Sequence, residues 1–447
     1  MKGEIIMKIT QIEYLRKREK MSQEQLADKL EISRQTISEW ERGITYPSVE
    51  KLIELTKIFN VSLDFLVFGK IFKEKNLNED NFLHYAKWQN TKNYCIGKKN
   101  GLVASIPQDT HIGNTLVVGG AGSGKTRGYL IPNILKAIER NENIVLIDHL
   151  GEIKEVLNDK IQDSGYTVYN LDFHNPKEST TINMSKALFY QENLSNKYIE
   201  ILYKSLFNHK HKNPLHFSLF KFLISEKIKD KSFDILNPSK NDIMTKLYDN
   251  APYNIEFKYL QSHQIEDCLC SLLFELNNIF NNPDITNIIF NGELELKDLL
   301  KPKTIVFINP DFFNIENTKI LSAILNLLFA KIILKEIKID NKINMFLDEY
   351  GQLSNYFNLI DNISHLNKNI TISILVQSLS QLNCDKNNLL NNFRNFIYMG
   401  SFNFEDMETL ANFFELPIEN LRDLKSELIY KREFNKAIFL DKILELI

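Results

Sequence analysis

A glycine-rich stretch that ends in lysine and threonine carries the most explicit chemistry in this sequence. It fits the pattern G-x-x-x-x-G-K-[ST] and lies between an apolar run, "TLVV", and a helical stretch. Its residues are Gly119, Gly120, Ala121, Gly122, Ser123, Gly124, Lys125 and Thr126. Glycines let backbone N–H groups approach phosphate oxygens, and the following helix points its positive end at the same place. The pattern predicts a phosphate loop in which Lys125 contacts the β- and γ-phosphates and Thr126 ligates Mg²⁺.

A pair of carboxylates after a second apolar run supplies the other half of such a site. "INMFL" is followed directly by Asp348 and Glu349. Asp348 can hold Mg²⁺, and Glu349 can polarise an attacking water. Gln377 closes a third apolar run, "ITISILV", where a polar side chain lies on the ligand-binding edge of an open α/β sheet. We therefore predict that Lys125, Glu349 and Gln377 are catalytic and that the cofactors are ATP and Mg²⁺.

Two further acids follow the apolar run "NIVLI", namely Asp148 and Glu152. They are expected on the same sheet edge as the acidic pair. A role in the site and an ordinary position in a solvated loop both remain open for them.

The elements that must position these residues are predicted by short apolar runs alternating with helical stretches. "NTLVVG" and "NIVLIDH" flank one helix, which predicts a βαβ unit, and "TVYNLDF" adds a strand. Strand signals return at "TIVFINP", "INMFLDEY", "ITISILVQ" and "NFIYMG". Residues 191–299 have helical patterns instead. The predicted fold class is α/β, with a nucleotide-binding sheet interrupted by a helical insert.

The first 70 residues have the pattern of a small all-α module. Ser22 and Gln25 have the spacing of a capping box, and Gly43 is a typical helix stop. Four or five short helices with a tight turn between the second and third are typical of the helix-turn-helix plan. Residues at the start of the recognition helix meet base edges in the major groove. We predict DNA contacts from Gln23, Arg34, Gln35, Thr36 and Ser38.

The charge balance excludes a broad electrostatic attraction for nucleic acid. The 447 residues carry a net charge of −3, and residues 1–70 contain twelve Lys and Arg against eleven Asp and Glu. DNA contacts must therefore come from local patches, and a module that binds protein or dimerises remains an alternative. The sequence has no run of about eighteen apolar residues, so we predict no transmembrane segment.

Two families resemble parts of the chain. Residues 7–69 resemble the Cro/repressor-type (XRE) helix-turn-helix family through "MSQEQLADKLEISRQTISEWERGITYPSVEKLIELTKIFNVSLDFL". Residues from about 93 to 425 resemble the TraG/TraD-like coupling-protein ATPases of conjugation and type IV secretion. The stretches that carry this resemblance are "VVGGAGSGKTRGYLIPNIL", "VLIDHLGE", "LDEYGQL", "SILVQSLSQL" and "NFIYMGSFNFEDMETLANFF". It implies a RecA-like P-loop NTPase domain with a helical insert, in a ring that is typically a hexamer.

The sequence departs from the coupling-protein pattern in three places. A helix-turn-helix stands where family members usually have membrane-spanning helices, and little sequence follows "LIYKREFNKAIFLDKILELI". The family's "D-P-K-G-E" stretch reads "DHLGE" from Asp148, so its lysine is missing. A ring also needs an arginine that reaches the neighbouring subunit's nucleotide, and Arg394, Arg422 and Arg432 remain open as candidates.

The leading interpretation is a cytoplasmic ATPase of conjugative DNA transfer, with the expectation that DNA stimulates it. The predicted domains are a helix-turn-helix domain at 1–70, a linker at 71–92, an ATPase domain at 93–190 and 300–430, and an all-α insert at 191–299. Duplex DNA would bind the helix-turn-helix and a single strand the motor. A relaxase or transfer-channel proteins would be partners and would bring the protein to the membrane. The alternative is an ATP-switched transcriptional regulator of a mobile element.

Overall fold

The computed structural model divides the chain into two compact units, Met1–Asp80 and Asn81–Ile447. The residues that it describes are 11–444 except 60, 62–65, 67–82, 109–111, 185–191, 208–213, 231–232, 250–261, 291, 358, 361–362, 364–365, 367, 383–388, 390–391, 402, 423 and 434. Within those residues, no helix combines the length and the apolar character that crossing a membrane requires.

Four helices make up the described part of the first unit. They are α1 (Gln11–Arg18), α2 (Gln23–Lys29), α3 (Arg34–Arg42) and α4 (Val49–Phe59). The predicted capping box is confirmed, because the Ser22 hydroxyl accepts from the Gln25 N–H and the Gln25 side chain accepts from the Ser22 N–H. Gly43 ends α3 at φ +71°, a left-handed conformation that glycine adopts without strain.

A buried ion pair joins α1 to α3 beneath the apolar core of this unit. Arg16 Nε donates to Glu41 Oε1 at 2.6 Å, and Arg16 Nη2 donates to Glu41 Oε2 at 3.1 Å. The two side chains are 11% and 5% exposed. Gln23 adds a bond of 2.7 Å to the same carboxylate. The pair therefore fixes α1 against the helix pair α2–α3, where the predicted DNA-contacting residues lie.

The second unit is built on one twelve-stranded sheet. Its strands are β1 (His84–Ala86), β2 (Tyr94–Lys99), β3 (Leu102–Ile106), β4 (Thr115–Val118), β5 (Asn143–Ile147), β6 (Thr167–Asp172), β7 (Thr304–Asn309), β8 (Ile343–Leu347), β9 (Ile370–Val376), β10 (Asn395–Tyr398), β11 (Glu427–Arg432) and β12 (Ile438–Asp441). Their order is β1-β3-β2-β12-β11-β10-β4-β9-β8-β5-β7-β6. Every pair from β10 to β6 is parallel, and the pairs from β1 to β10 are antiparallel.

Helices cover the sheet, as the βαβ pattern predicts. They are α5 (Ile131–Glu139), α6 (Glu152–Gln162), α7 (Glu192–Phe207), α8 (Pro214–Lys229), α9 (Lys240–Asp249), α10 (Ser262–Ile279), α11 (Pro283–Phe290), α12 (Ile315–Ile333), α13 (Phe404–Phe414) and α14 (Glu419–Arg422). Alternate residues of β4 enter different cores: Leu116 and Val118 join the cluster that contains α7 and α12, and Val117 joins the one that contains α5 and α6. The α/β fold class and a helical insert, α7–α11 between β6 and β7, are confirmed.

The sheet reaches beyond the limits that the sequence patterns suggested. Strand β1 lies within 71–92, the range expected to be a linker, and its three residues are exposed or half-buried. Such an edge strand lacks the apolar signal of a buried one. Strands β11 and β12 continue the sheet past residue 430, and β12 pairs with β2 through Asp441 and Lys98. The domain boundaries themselves stay predictions.

The Arg16–Glu41 pair yields a prediction for the stability of the first unit. Glu41→Ala leaves the buried Arg16 guanidinium without its carboxylate, so we expect the unfolding free energy to fall by about 3 kcal/mol. Denaturant unfolding in a Trp88→Phe background measures it, because the buried Trp40 then reports on this unit. Glu19→Ala removes the exposed partner of Arg18 and should lower stability by less than about 1 kcal/mol. Equal losses of unfolding free energy in Glu41→Ala and Glu19→Ala would contradict the stabilising role assigned to the Arg16–Glu41 pair.

Candidate functional site

The glycine-rich loop leaves β4 at Val118 and turns back over the ends of the neighbouring strands. Its start is fixed by two backbone bonds, from Gly119 N to Val376 O at 3.0 Å and from Gly120 N to Gly400 O at 2.7 Å. A Cβ on Gly119 would lie 2.5 Å from Ser123 Oγ, so a side chain there would displace the loop. The first two residues of the loop are therefore held at the ends of β9 and β10.

Lys125 folds back onto the loop. Its Nζ donates to the carbonyl oxygens of Gly119 at 2.6 Å and Gly120 at 3.3 Å, and the residue is 7% exposed. Burial lowers the pKa of Lys125, while the carboxylates of Glu349 and Asp348 act in the opposite direction. The ammonium group is thus held by backbone carbonyl oxygens at the start of the loop.

Thr126 and Asp348 meet although they are far apart in sequence. Thr126 Oγ1 donates to Asp348 Oδ2 at 3.4 Å, and Glu349 N donates to Asp348 Oδ1 at 3.1 Å. Burial, and next to it the charge of Glu349, raise the pKa of Asp348 to about 6, against the opposing effect of Lys125. The structure therefore brings together a hydroxyl and a carboxylate, two oxygen groups of the kind that Mg²⁺ takes as ligands.

Gln377 holds the carboxylate of Glu349. Its Nε2 donates to both Glu349 oxygens at 3.0 Å, and Glu349 itself has a left-handed backbone at φ +52°. Gln381 accepts from the Gln377 backbone N–H at 3.0 Å and packs against Gly351. Gln381 is not among the residues predicted for the site, because a polar residue in a short turn carries no pattern of its own. Gln377 thus bonds the Glu349 carboxylate directly, and Gln381 bonds the backbone of Gln377.

The residues at this edge fit a nucleotide with Mg²⁺. Ser123 Oγ is buried and has no hydrogen-bond partner among the residues that the structure describes. Gly122 and Gly124 have φ angles of +73° and +91°, which is typical of a loop that aims backbone N–H groups at an anion. The orphaned hydroxyl and the Lys125 ammonium are groups that can meet phosphate oxygens, and the Thr126–Asp348 pair offers oxygens of the kind that Mg²⁺ takes as ligands.

The two acids after β5 have a structural explanation. Asp148 is 4% exposed, and its Oδ2 accepts from the Lys154 N–H at 3.0 Å, so it caps the first turn of α6. Burial raises the pKa of Asp148, and its bonds to backbone N–H groups oppose that rise. Glu152 is the first residue of α6. A buried cap of α6 is neither of the two interpretations that the sequence left open for Asp148, a role in the site or a solvated loop position.

The three candidate arginines lie in different places. Arg394 directly precedes β10 and pairs with Glu433, while Arg432 ends β11 and lies opposite Asn395. Because β10 runs parallel to β4, both lie at the sheet edge opposite the phosphate loop. Arg422 lies in α14, with its guanidinium carbon 5.9 Å from the centre of the Phe404 ring. The assignment of one of them to a neighbouring site stays open.

The predicted DNA-contacting residues lie on and before α3. Arg34 and Gln35 are exposed, and the Gln35 side chain donates to Glu39 at 3.2 Å. Thr36 bonds the Ser33 hydroxyl that caps the helix, which makes it part of the helix start. Ser38 is half-buried, and Gln23 Nε2 donates a hydrogen bond to Glu41 Oε2 at 2.7 Å. Arg34 and Gln35 are therefore the side chains with most freedom to reach a base.

The raised pKa of Asp348 predicts how stability depends on pH. The folded protein holds this proton more tightly than the unfolded chain, whose value is near 3.8, so stability is lost as pH rises towards 6. In nucleotide-free protein with chelator, Asp348→Asn should stabilise the second unit at neutral pH by on the order of 1 kcal/mol, and the gain should vanish near pH 4. Thermal unfolding across this range measures it. A gain that is independent of pH, or one shared by the exposed control Asp340→Asn, would contradict the assignment.

The helix-turn-helix segment has relatives among transcription regulators. Residues 12–66 match the helix-turn-helix family HTH_3. The HTH-type transcriptional activator BcrR of Enterococcus faecalis is 42% identical over 59 residues, which are 13% of this chain and 29% of that protein. The uncharacterized HTH-type transcriptional regulator YqaE of Bacillus subtilis is 38% identical over 64 residues, 13% of this chain and 55% of that protein. The chain thus spans about a third to a half of these relatives, and only through this segment.

The rest of the chain resembles proteins of DNA transfer. Residues 69–221 match the family described as type IV secretory system conjugative DNA transfer. The conjugative coupling protein TrwBdeltaN70 with sulphate aligns with a TM-score of 0.60 and 13% identity over 77% of this chain and 88% of that chain. TrwB in complex with ADP and Mg²⁺ gives 0.58 and 14% over 78% and 88%, and VirB4 of Thermoanaerobacter pseudethanolicus gives 0.54 and 14% over 78% and 96%. At these identities the likeness shows the fold. The chain therefore joins a segment that matches the helix-turn-helix family to one that matches the conjugative DNA transfer family, and it shares the fold of the coupling protein TrwB.

Proposed function

We propose that this protein is an ATPase of conjugative DNA transfer that binds and hydrolyses MgATP at the shared edge of β4, β8 and β9. The observation that carries the proposal is the contact between Thr126 and Asp348, 3.4 Å apart in space and separated by 222 positions in sequence. It lies beside Lys125 and the Glu349–Gln377 pair. A chance glycine-rich turn would not be accompanied by a hydroxyl, an acid pair and a cation at one point.

Phosphate binding is assigned to the loop and to Lys125. The Lys125 ammonium would leave the carbonyl oxygens of Gly119 and Gly120 for the β- and γ-phosphates, and backbone N–H groups of the loop would hold the remaining oxygens. Thr126 and Asp348 would hold the metal. Mg²⁺ held there would offset the negative charge of the phosphates. The protein's part in this step is to keep these groups in place before the nucleotide arrives.

Water activation is assigned to Glu349. Its carboxylate is oriented by two bonds of 3.0 Å from Gln377 Nε2, and each oxygen keeps a lone pair that can accept from a water. Gln377 follows β9 directly, so it lies between the phosphate loop and the acidic pair. We therefore assign Gln377 the role of orienting Glu349 and responding to the γ-phosphate.

DNA contacts are divided between the two units in this proposal. The helix-turn-helix would bind duplex DNA, and the ATPase unit would act on a single strand and be stimulated by it. A homo-oligomeric ring, a hexamer as in the resemblance, would let one chain complete the site of the next with an arginine. A relaxase or transfer-channel proteins would then be the partners that bring this cytoplasmic protein to the membrane.

ATP hydrolysis tests the proposal most simply. Wild-type protein should hydrolyse ATP, and single-stranded DNA should stimulate it more than duplex. Glu349→Gln should keep nucleotide binding and lose at least about 100-fold in turnover, because the water loses its base. Lys125→Ala should lose binding as well, because the phosphates lose their cation.

Controls make these results specific to the site. Glu155→Gln, an exposed acid on α6, should leave both binding and turnover unchanged. An ATPase that is silent with every DNA tried, in protein whose unfolding is normal, would contradict the motor assignment. Nucleotide binding with slow turnover that DNA does not change would favour the ATP-switched regulator instead.

Duplex binding by the helix-turn-helix is tested on its exposed residues. Arg34→Ala and Gln35→Ala should each weaken binding to a selected duplex by about 1–3 kcal/mol, roughly tenfold or more, because each removes a base or phosphate contact. Lys57→Ala removes the same charge as Arg34→Ala from the exposed face of α4 and serves as the control. Fluorescence anisotropy measures the affinities at fixed salt. Equal weakening by Lys57→Ala would show that only net charge matters.

A further inference from the structure

A buried lysine beyond the last strand lies next to the phosphate loop. Lys442 follows β12 and is 6% exposed. Its Nζ donates to three carbonyl oxygens, those of Met399 at 3.2 Å, Leu424 at 3.0 Å and Lys425 at 3.1 Å. Burial lowers the pKa of Lys442. The three carbonyl oxygens take the place of the water that the ammonium group has lost, as a buried cation requires.

One of these carbonyl oxygens belongs to Met399, in the segment Met399–Gly400 that follows β10 and lies beside the start of the phosphate loop. Met399 N donates to Val118 O at 2.8 Å, and the next residue, Gly400, accepts from Gly120 N at 2.7 Å. The Met399 Cβ lies 3.1 Å from the position of a Cβ on Gly119. The segment Met399–Gly400 therefore contacts the first residues of the loop through both backbone bonds and packing.

Residues 442–444, which follow β12, also contact the other end of the loop. A Cβ on Gly124 would lie 3.4 Å from Leu444 Cδ2 and 3.8 Å from Lys442 Cδ. A Cβ on Gly128, in the π-helical turn that follows the loop, would lie 3.6 Å from Lys442 Cβ. The aliphatic part of the Lys442 side chain thus packs against the end of the loop. Its ammonium group bonds Met399 O, beside the start of the loop.

We propose that Lys442 is a positioning residue for the phosphate loop. Its ammonium group ties the Met399–Gly400 segment to the turn at Leu424–Lys425, and so keeps the backbone of Gly119 and Gly120 in place for phosphate. The inference rests on the proposed function, since it concerns how the same loop is made ready for a nucleotide. A loop that is ordered in advance binds its ligand more tightly, because less conformational entropy is lost on binding.

The chain offers a matched control in Lys431. This lysine of β11 is 5% exposed, and its Nζ donates to Phe413 O at 2.6 Å and Glu415 Oε1 at 3.1 Å. It is a buried cation bonded to a helix end in the same part of the sheet. Its acceptors lie at the end of α13 and not in the segment Met399–Gly400. Lys431→Met and Lys442→Met therefore remove the same group from similar surroundings.

Hydrogen exchange of the nucleotide-free protein tests the proposal. In Lys442→Met, amides of a peptide spanning residues 116–130 should exchange at least about tenfold faster than in the wild type, because the loop loses its support. Lys431→Met should leave this peptide unchanged. The KM for ATP should rise by about tenfold in Lys442→Met, with kcat changing by less than about threefold, because loop order contributes to nucleotide binding.

Equal exchange at residues 116–130 in the two variants would overturn the proposal, and so would a change in kcat without a change in KM. Should Lys442→Met not fold, Lys442→Gln keeps an amide donor and should give an intermediate increase in exchange; no increase would overturn the proposal. Wild-type protein that binds no ATP would instead contradict the proposed function, and the exchange comparison, made without nucleotide, would still stand on its own.

Discussion

The parallel packing of β4, β9 and β8 is the constraint on which the site depends. Val118 lies opposite Val376, and Leu347 lies opposite Ile374, so the three strands end at the same edge of the sheet. The residues that follow these strands carry the chemistry. A shift of β8 by one residue would turn its side chains to the opposite face and separate Asp348 from Thr126. The packing of apolar residues on both faces of the strands therefore fixes the geometry of the polar groups at their ends.

Much of this could be predicted from the sequence because the relevant signals are local. A fully buried parallel strand must be an apolar run, so β4, β5, β7, β8 and β9 stand out. The phosphate loop is contiguous in sequence, and the acidic pair directly follows its strand. The capping box before α2 is likewise contained in four residues. The wider fold followed from these runs, and the chain's likeness to TrwB agrees with it.

The parts that could not be predicted depend on contacts that no sequence motif marks. Asp148 has the position of a site residue, but the backbone of α6 takes its carboxylate. Lys442 has no motif around it, and only the pairing of β12 with β11 and β2 brings it to the phosphate loop. Gln381 reaches Gln377 because of a tight turn after β9. Tertiary packing sets the partners of Lys442, and the conformation of a short turn sets those of Asp148 and Gln381.

In our proposal the phosphate loop and the acidic pair form one MgATP site. Isothermal titration calorimetry with ATP, with and without Mg²⁺, measures this binding, which needs neither DNA nor a partner protein. We expect close to one ATP per chain, with an affinity that falls at least about tenfold without Mg²⁺ or in Thr126→Val. Absence of binding, or binding that is indifferent to both Mg²⁺ and the Thr126 hydroxyl, would contradict it.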